Sequence, residues 1–380
     1  MSLPRFMTVV LLLALCVPAG TARGEPIETF GDARLSFFAN EREARDGTET
    51  SDEGLRLRLR VGAETRLSEA WLLRGRLAGR FATEQDRTRF WLKAWAPARA
   101  GLEDGDATID ELFLRYAPAE GDWSLRMGRF QSKFELMGVA AKSLDRNDSP
   151  NVDVNWTDGL HLQYDLTPAW RSHLILQRNV SSGTGPLVRA PLVFDDSGSR
   201  VSAFAALEST VPVGPLKQRV LTVTWMPEAL ATDGIAAKRR EDYVAFTAKL
   251  FTEWPIGTGG MRGGLGGELG YATNTPLDPV VNARDSGSAG GSAHQFSMNL
   301  FDFFPGHNIA FVYGHTDAGW LLSPDFRNND LLLEIRYQWR IVKNLSMEAR
   351  LRRREELKLP AAAPQERIDD DFYVRLSAKF

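Results

Sequence analysis

The chain has 380 residues, 46 of them Lys or Arg and 49 Asp or Glu, with a single cysteine. That balance excludes a general nucleic-acid binder, and one thiol excludes a disulfide framework or a thiolate metal centre. No run approaches the roughly 18 consecutive apolar residues of a membrane-crossing helix, which excludes a helical membrane protein.

The first segment differs from the rest. Arg5 precedes an apolar run, Phe6 to Val17, and small residues follow in Ala19-Gly20-Thr21-Ala22-Arg23-Gly24. This order predicts a secretory signal over 1–24, cut after Ala22 or Gly24, because the run is too short to cross a core roughly 30 Å thick as a helix. Cys16 lies inside it, in a stretch resembling a lipoprotein cleavage box, but Leu15 stands where a small residue is wanted. Residues 25–380 then form one unit without cysteine.

Two-residue alternation recurs along that unit. In Leu55-Arg56-Leu57-Arg58-Leu59-Arg60-Val61 the leucines share one face and the arginines the other, an order that a helix would scatter. Strands are expected over 33–39, 54–66, 71–82, 109–117, 122–133, 159–167, 170–179, 200–209, 218–226, 242–252, 261–273, 293–304, 307–316, 330–341, 344–355 and 370–380. Short connections near 67–70, 118–121, 167–169, 305–306 and 342–343 alternate with longer polar ones near 40–53, 83–108, 134–158, 180–199, 227–241, 274–292, 317–329 and 356–369. The fold class is therefore all-β, a transmembrane antiparallel β-barrel of about 16 strands with turns at one end and loops at the other. A pair of soluble β-sandwiches is the structural alternative. Trp71, Trp123, Trp170, Trp225, Trp254, Trp320 and Trp339 fall near strand ends, where aromatic girdles meet the membrane interface. The run Gly263-Gly264-Leu265-Gly266-Gly267 lacks dinucleotide spacing and reads as a strand with small residues at a close contact.

In the last strand Phe372, Val374, Leu376 and Phe380 share one face, and Tyr373, Arg375, Ser377 and Lys379 the other. This ending resembles that of bacterial outer-membrane barrels, whose final strand closes on Phe. The resemblance to the outer-membrane porins implies a Gram-negative outer-membrane location, contact with lipid and lipopolysaccharide, reading of the last strand by the barrel-assembly machinery, and a homotrimer. It implies no cofactor, no metal and no catalytic residue.

With leucines facing lipid, the opposite faces line a lumen. Arg34, Arg56, Arg58, Arg60, Arg74, Arg76 and Arg80 come from the first three strands. Arg336, Arg340, Arg350, Arg352, Arg354, Arg375 and Lys379 come from the last three. Closure joins these distant groups into one cationic wall. The third long connection carries Glu135, Asp145, Arg146, Asp148, Asp153 and Asp158. In sixteen-stranded porins the third loop folds inward, so the resemblance implies an eyelet, constricted by 138–157, with arginines facing carboxylates. Such a field orients polar solutes. The stretches Leu125 to Leu136 and Ser143 to Ser149 resemble the corresponding region of phosphate-selective porins, without a lysine-rich loop cluster. The Pro-Glu-Phe-Gly-Gly constriction motif of enteric general porins is absent.

The expected function is passive diffusion of small hydrophilic solutes and ions, with an anion preference at the arginine wall. Two other classes fit a barrel. An outer-membrane phospholipase or protease would need a Ser–His pair or acids with a histidine, and His161, His173, His294, His307 and His315 sit in no such local signature. A sugar or polysaccharide channel would use an aromatic track, for which Phe113, Phe204 and Phe301 are the inward candidates.

Overall fold

The structure, a computed structural model, describes residues 26–84, 87–91, 108–145, 156–179, 190–194, 201–235, 238–281, 286–323 and 325–380, without the side chains of 80–91 and 108. Its strands are β1 (Glu28–Glu43), β2 (Glu49–Arg66), β3 (Trp71–Glu84), β4 (Arg87–Trp91), β5 (Thr108–Tyr116), β6 (Trp123–Phe130), β7 (Thr157–Thr167), β8 (Trp170–Arg178) and β9 (Val201–Ser209). They continue as β10 (Leu216–Leu230), β11 (Glu241–Pro255), β12 (Arg262–Ala272), β13 (Ser292–Phe304), β14 (His307–Thr316), β15 (Asp330–Val342), β16 (Leu345–Glu356) and β17 (Ile368–Lys379).

Each strand pairs antiparallel with its neighbours, and β17 returns to pair with β1, so no edge is left in the ring. β4 pairs with β3 as a hairpin while β3 also pairs with β5, which leaves sixteen strands in the closed ring. All sixteen expected strands are present. β1 and β2 run further than expected, pairing up to Glu43 opposite Glu49, so most of the expected loop 40–53 is ladder. Acidic side chains such as Glu41, Glu43, Glu49 and Glu53 hid this extension from a reading based on apolar residues. Backbone pairing does not require them to be apolar where the ribbon stands above a membrane.

The alternation sorts side chains as the period dictates. Leu35, Phe37, Leu55, Val61, Leu73, Leu221, Phe246, Leu250, Leu269, Met298, Ile335, Leu351 and Leu376 stay exposed on the outer face, while Ser36, Arg58, Thr222, Lys249 and Arg375 are buried inside. An outer belt of that size is stable against lipid and would be costly against water. At the seam, Gly31 N donates to Phe380 O at 2.8 Å and Phe380 N to Gly31 O at 3.0 Å. A Cβ on Gly31 would stand 2.4 Å from the Phe380 ring, so only glycine lets the terminal aromatic lie there. Phe372 sits edge-on to Phe37 at 6.4 Å across the same seam, and Val374 and Leu376 continue this outward face. Trp71, Tyr116 and Trp123 cluster at the turn end, with ring centroids 4.7 and 5.2 Å apart, as a girdle requires. Trp320 does not belong to a girdle. It is fully buried inside the barrel mouth.

Candidate functional site

Inward positions on adjacent strands carry Arg34 (β1), Arg56, Arg58 and Arg60 (β2), Arg74 and Arg76 (β3), Arg336 (β15), Arg350, Arg352 and Arg354 (β16) and Arg375 (β17). The β17–β1 pairing places them on one wall, with Arg34 directly opposite Arg58 and Arg336 directly opposite Arg350. Arg340 and Lys379 sit apart, at the turn-end rim, because each lies at the end of its strand. Arg340 is 67% exposed and 3.7 Å from Asp302. The side chain of Arg80 lies outside the described residues.

Carboxylates are interleaved with these cations. Asp32 accepts from Arg58 at 2.8 Å and Arg60 at 2.7 Å. Asp371 binds Arg352 at 2.5 Å and also Arg350, and Glu348 accepts from Arg375 at 2.8 Å. Asp32, Glu334, Glu348 and Asp371 share strand parity with the arginines, so the sequence held the signal for them. Asp110 and Glu111 could not be read that way. A bulge in β5 opposite Arg76 and Leu77 turns both successive carboxylates inward, onto Arg76 at 2.9 Å and Arg74 at 2.9 Å. Several guanidinium carbons stand over rings: Arg56 over Phe38 at 3.6 Å, Arg74 over Phe30 at 3.8 Å and Arg350 over Tyr373 at 4.1 Å. The wall is a lattice of ion pairs in which, among the described residues, guanidinium outnumbers carboxylate.

The loop between β6 and β7 crosses the lumen and lies along the opposite side. Phe134 seats between His173 and Phe204, at 5.1 and 4.8 Å. Gln218 then holds the backbone at Glu135 O (2.9 Å) and Met137 N (2.8 Å), Asn299 accepts from Val139 N at 2.8 Å, and Gln338 donates to Val139 O at 2.9 Å. Lys142 reaches Glu334 at 3.0 Å, and burial holds its ammonium down to about 8. Leu144 N donates to Glu268 at 3.1 Å, and Asp145 closes on Lys249 and on Thr222 at 3.0 Å.

A second loop, 317–329 between β14 and β15, folds in beside the first. Trp320 donates its indole N–H to Leu144 O at 3.0 Å, and Ser323 donates to Ser143 O. Trp320, Leu321, Leu322 and Phe326 join Val139, Leu144, Leu192, Phe194, Leu230 and Tyr243 in an apolar core within the β10–β15 half of the lumen. Glycines make the room. A Cβ on Gly270 would stand 2.6 Å from the Trp320 ring, one on Gly314 2.2 Å from Phe326, and one on Gly266 3.1 Å from Leu136. Gly270→Val is therefore expected to lift Trp320 at a cost of about 1–3 kcal/mol. A lower unfolding midpoint in detergent, with larger or noisier single-channel currents, is the measurement that checks it.

The expected eyelet acids separate. Glu135 remains on the lumen-crossing loop, with its Oε1 buried and without a hydrogen-bond partner. Asp145 is fully buried behind the loop as a clamp, because Lys249 and Glu268 face it from the wall. Asp158 is on the outer face of β7, paired with Arg129 at 2.7 Å, since its parity matches the outward Leu160. Arg146, Asp148 and Asp153 lie outside the described residues. Phe113 and Phe204 do point inward but are packed with Phe130 and Phe134, and Phe301 packs on the apolar core, so they form no open track.

No protein-family model and no curated protein matches the sequence. Solved structures do. The high-pH structure of Pseudomonas putida OprB superposes with a TM-score of 0.63 at 11% identity, over 93% of this chain and 94% of that one. An anion-selective porin from Comamonas acidovorans gives 0.53 at 9% identity, over 93% and 99%. Pseudomonas aeruginosa OprD gives 0.52 at 8% identity, over 94% and 97%. At these identities the likeness is one of fold: this chain has the sixteen-stranded barrel of the outer-membrane porins.

Proposed function

We propose that the protein is a channel of the Gram-negative outer membrane that passes small hydrophilic solutes by diffusion and favours anions. The observation that carries this reading is the asymmetry of the lumen. The β10–β15 side is filled by inward loops and an apolar core, β5–β9 carry a second buried cluster around Phe134, and the guanidinium-rich wall of β16, β17, β1, β2 and β3 lines the remaining arc. Solutes then pass along the cationic side, where a narrow, low-dielectric passage makes fixed charge effective. The apolar belt supports membrane insertion. Trimerisation, lipopolysaccharide contact and reading of the last strand by the assembly machinery belong to the same proposal. Reconstitution in planar bilayers under a salt gradient tests it: the reversal potential should show anion preference, and a cation-selective or closed barrel would refute it. A closed barrel with hydrolytic activity would instead support the enzyme alternative.

Glu135 gives this preference a pH dependence. Burial pushes its carboxyl up to about 7, against the opposing pull of Lys133. Below that value the group is neutral. Above it the carboxylate is ionised and faces solutes with a negative charge, so anion preference should weaken between about pH 6 and 8. Glu135→Gln should hold the low-pH selectivity throughout. An unchanged pH profile in that variant would show that Glu135 does not face the solute path.

A further inference from the structure

We propose that a trough on the outer face of the barrel, at the loop-side edge of the apolar belt across β14 to β1, binds one glycerophospholipid with an ethanolamine head. The site lies outside the lumen and is independent of the solute selectivity argued above.

The trough has a volume of 480 Å³ and runs between two rows of outward side chains. Register sets both rows. Phe311, Ile335, Leu351, Phe372 and Ala39 stand opposite one another in succession on β14, β15, β16, β17 and β1. Two residues nearer the loop end, Leu333, Arg353, Asp370 and Glu41 do the same on β15 to β1. Residues between the rows point into the lumen, so they offer the trough their backbone. The first row is apolar and open, with Ile335 48% and Leu351 56% exposed, and it shrinks to a methyl at Ala39, two residues from Glu41. The second row turns charged at β16, where the belt ends.

An apolar trough alone would take any acyl chain, and the charged row selects the head. Arg353 donates from Nε to Glu355 and from Nη1 to Asp370 at 3.1 Å, and its Nη2 has no partner among the described residues. Glu41 is exposed and makes no ion pair among the described residues. One guanidinium therefore stands against the carboxylates of Glu41, Glu355 and Asp370, and a purely anionic head meets net repulsion. A head of one phosphate and one ammonium is matched instead. Its phosphate accepts from Arg353 Nη2, and its ammonium donates to Asp370 and Glu41. Arg353 and Glu41 are two strands apart, roughly 10 Å between backbones, a span that such a head fills with the two side chains reaching toward it. The acyl chains then lie along the apolar row, continuous with the belt below.

Native mass spectrometry of the detergent-extracted protein, offered dioleoyl phosphatidylethanolamine and dioleoyl phosphatidylglycerol in equal amounts, tests the site. The ethanolamine lipid should be retained over the glycerol lipid by about fivefold, the worth of one or two exposed ion pairs. Glu41→Gln with Asp370→Asn should bring that ratio close to equality, while Arg353→Gln and Ala39→Phe should each lower retention of both lipids. Single-channel conductance should match the parent in every variant, since none of these side chains faces the lumen. Equal retention of the two lipids by the parent, stronger retention of lipopolysaccharide than of either, or a ratio unmoved in the double variant overturns the proposal. So does an Ala39→Phe protein that keeps its lipid and changes its oligomeric state, because a second copy would then cover the trough. The exposed Glu41→Gln change alone, which leaves the packing untouched, should already lower the ratio.

Discussion

Replacing Lys249 with methionine is expected to detach the lumen-crossing loop and widen the channel. Lys249, Asp145 and Glu268 are all fully buried, with the ammonium bound to Asp145 and 3.1 Å from Glu268. Without the cation, two carboxylates are left facing each other away from water. Removing one partner of a buried ion pair costs about 3–5 kcal/mol, more than the few remaining backbone bonds at the loop tip supply. The strain is relieved by expelling Asp145, which takes with it Leu144 and the indole bond from Trp320. Single-channel conductance should rise, selectivity should weaken, and the unfolding midpoint should drop. The triple neutral variant Lys249→Met, Asp145→Asn, Glu268→Gln should recover most of the seating, since no unpaired charge remains. A single Lys249→Met variant with native currents and stability would show that the triad does not hold the loop.

Neutralising Arg58 and Arg60 together is expected to reduce anion over cation permeability by on the order of tenfold. Two elementary charges about 5 Å from a passing ion in water act with about 1.7 kcal/mol in sum. Asp32, which both guanidiniums neutralise, makes the change one of sign, because the local charge goes from +1 to −1. Their loss leaves a carboxylate on the wall. Adding Asp32→Asn should therefore restore part of the preference, an outcome the sequence alone would not predict. The reversal potential of the three proteins under one salt gradient decides it. If the double arginine variant matches the parent, these side chains do not line the narrow part.

The strands were legible because a barrel writes its pattern locally. Leu55 to Val61 declares its two faces within seven residues, and Arg58, Arg336, Arg350 and Arg375, on the arginine parity of their strands, are buried in the structure. Parity also held the signal for Asp32, Glu348 and Asp371, which share the inward faces of Arg34, Arg350 and Arg375. It failed where the ladder departs from a period of two: the bulge at Asp110 and Glu111 inverts one side chain, and no residue type announces it. At Asp158 the strand boundary and not the parity differed, since β7 begins at Thr157, and Asp145 has its partner Lys249 over a hundred residues away.

The amino-acid sequence by itself determined the period and the basic faces of the separate strands, because each follows from which neighbour along the chain points the same way; the β17–β1 pairing then joins those faces into one wall. Only the tertiary structure decided that the β10–β15 side of the interior is filled. Trp320, Phe326 and Leu144 meet inside the mouth through contacts between distant loops, and Gly270 and Gly314 leave the space for their rings. Such contacts depend on what stands across the lumen, and a local pattern carries no record of that distance.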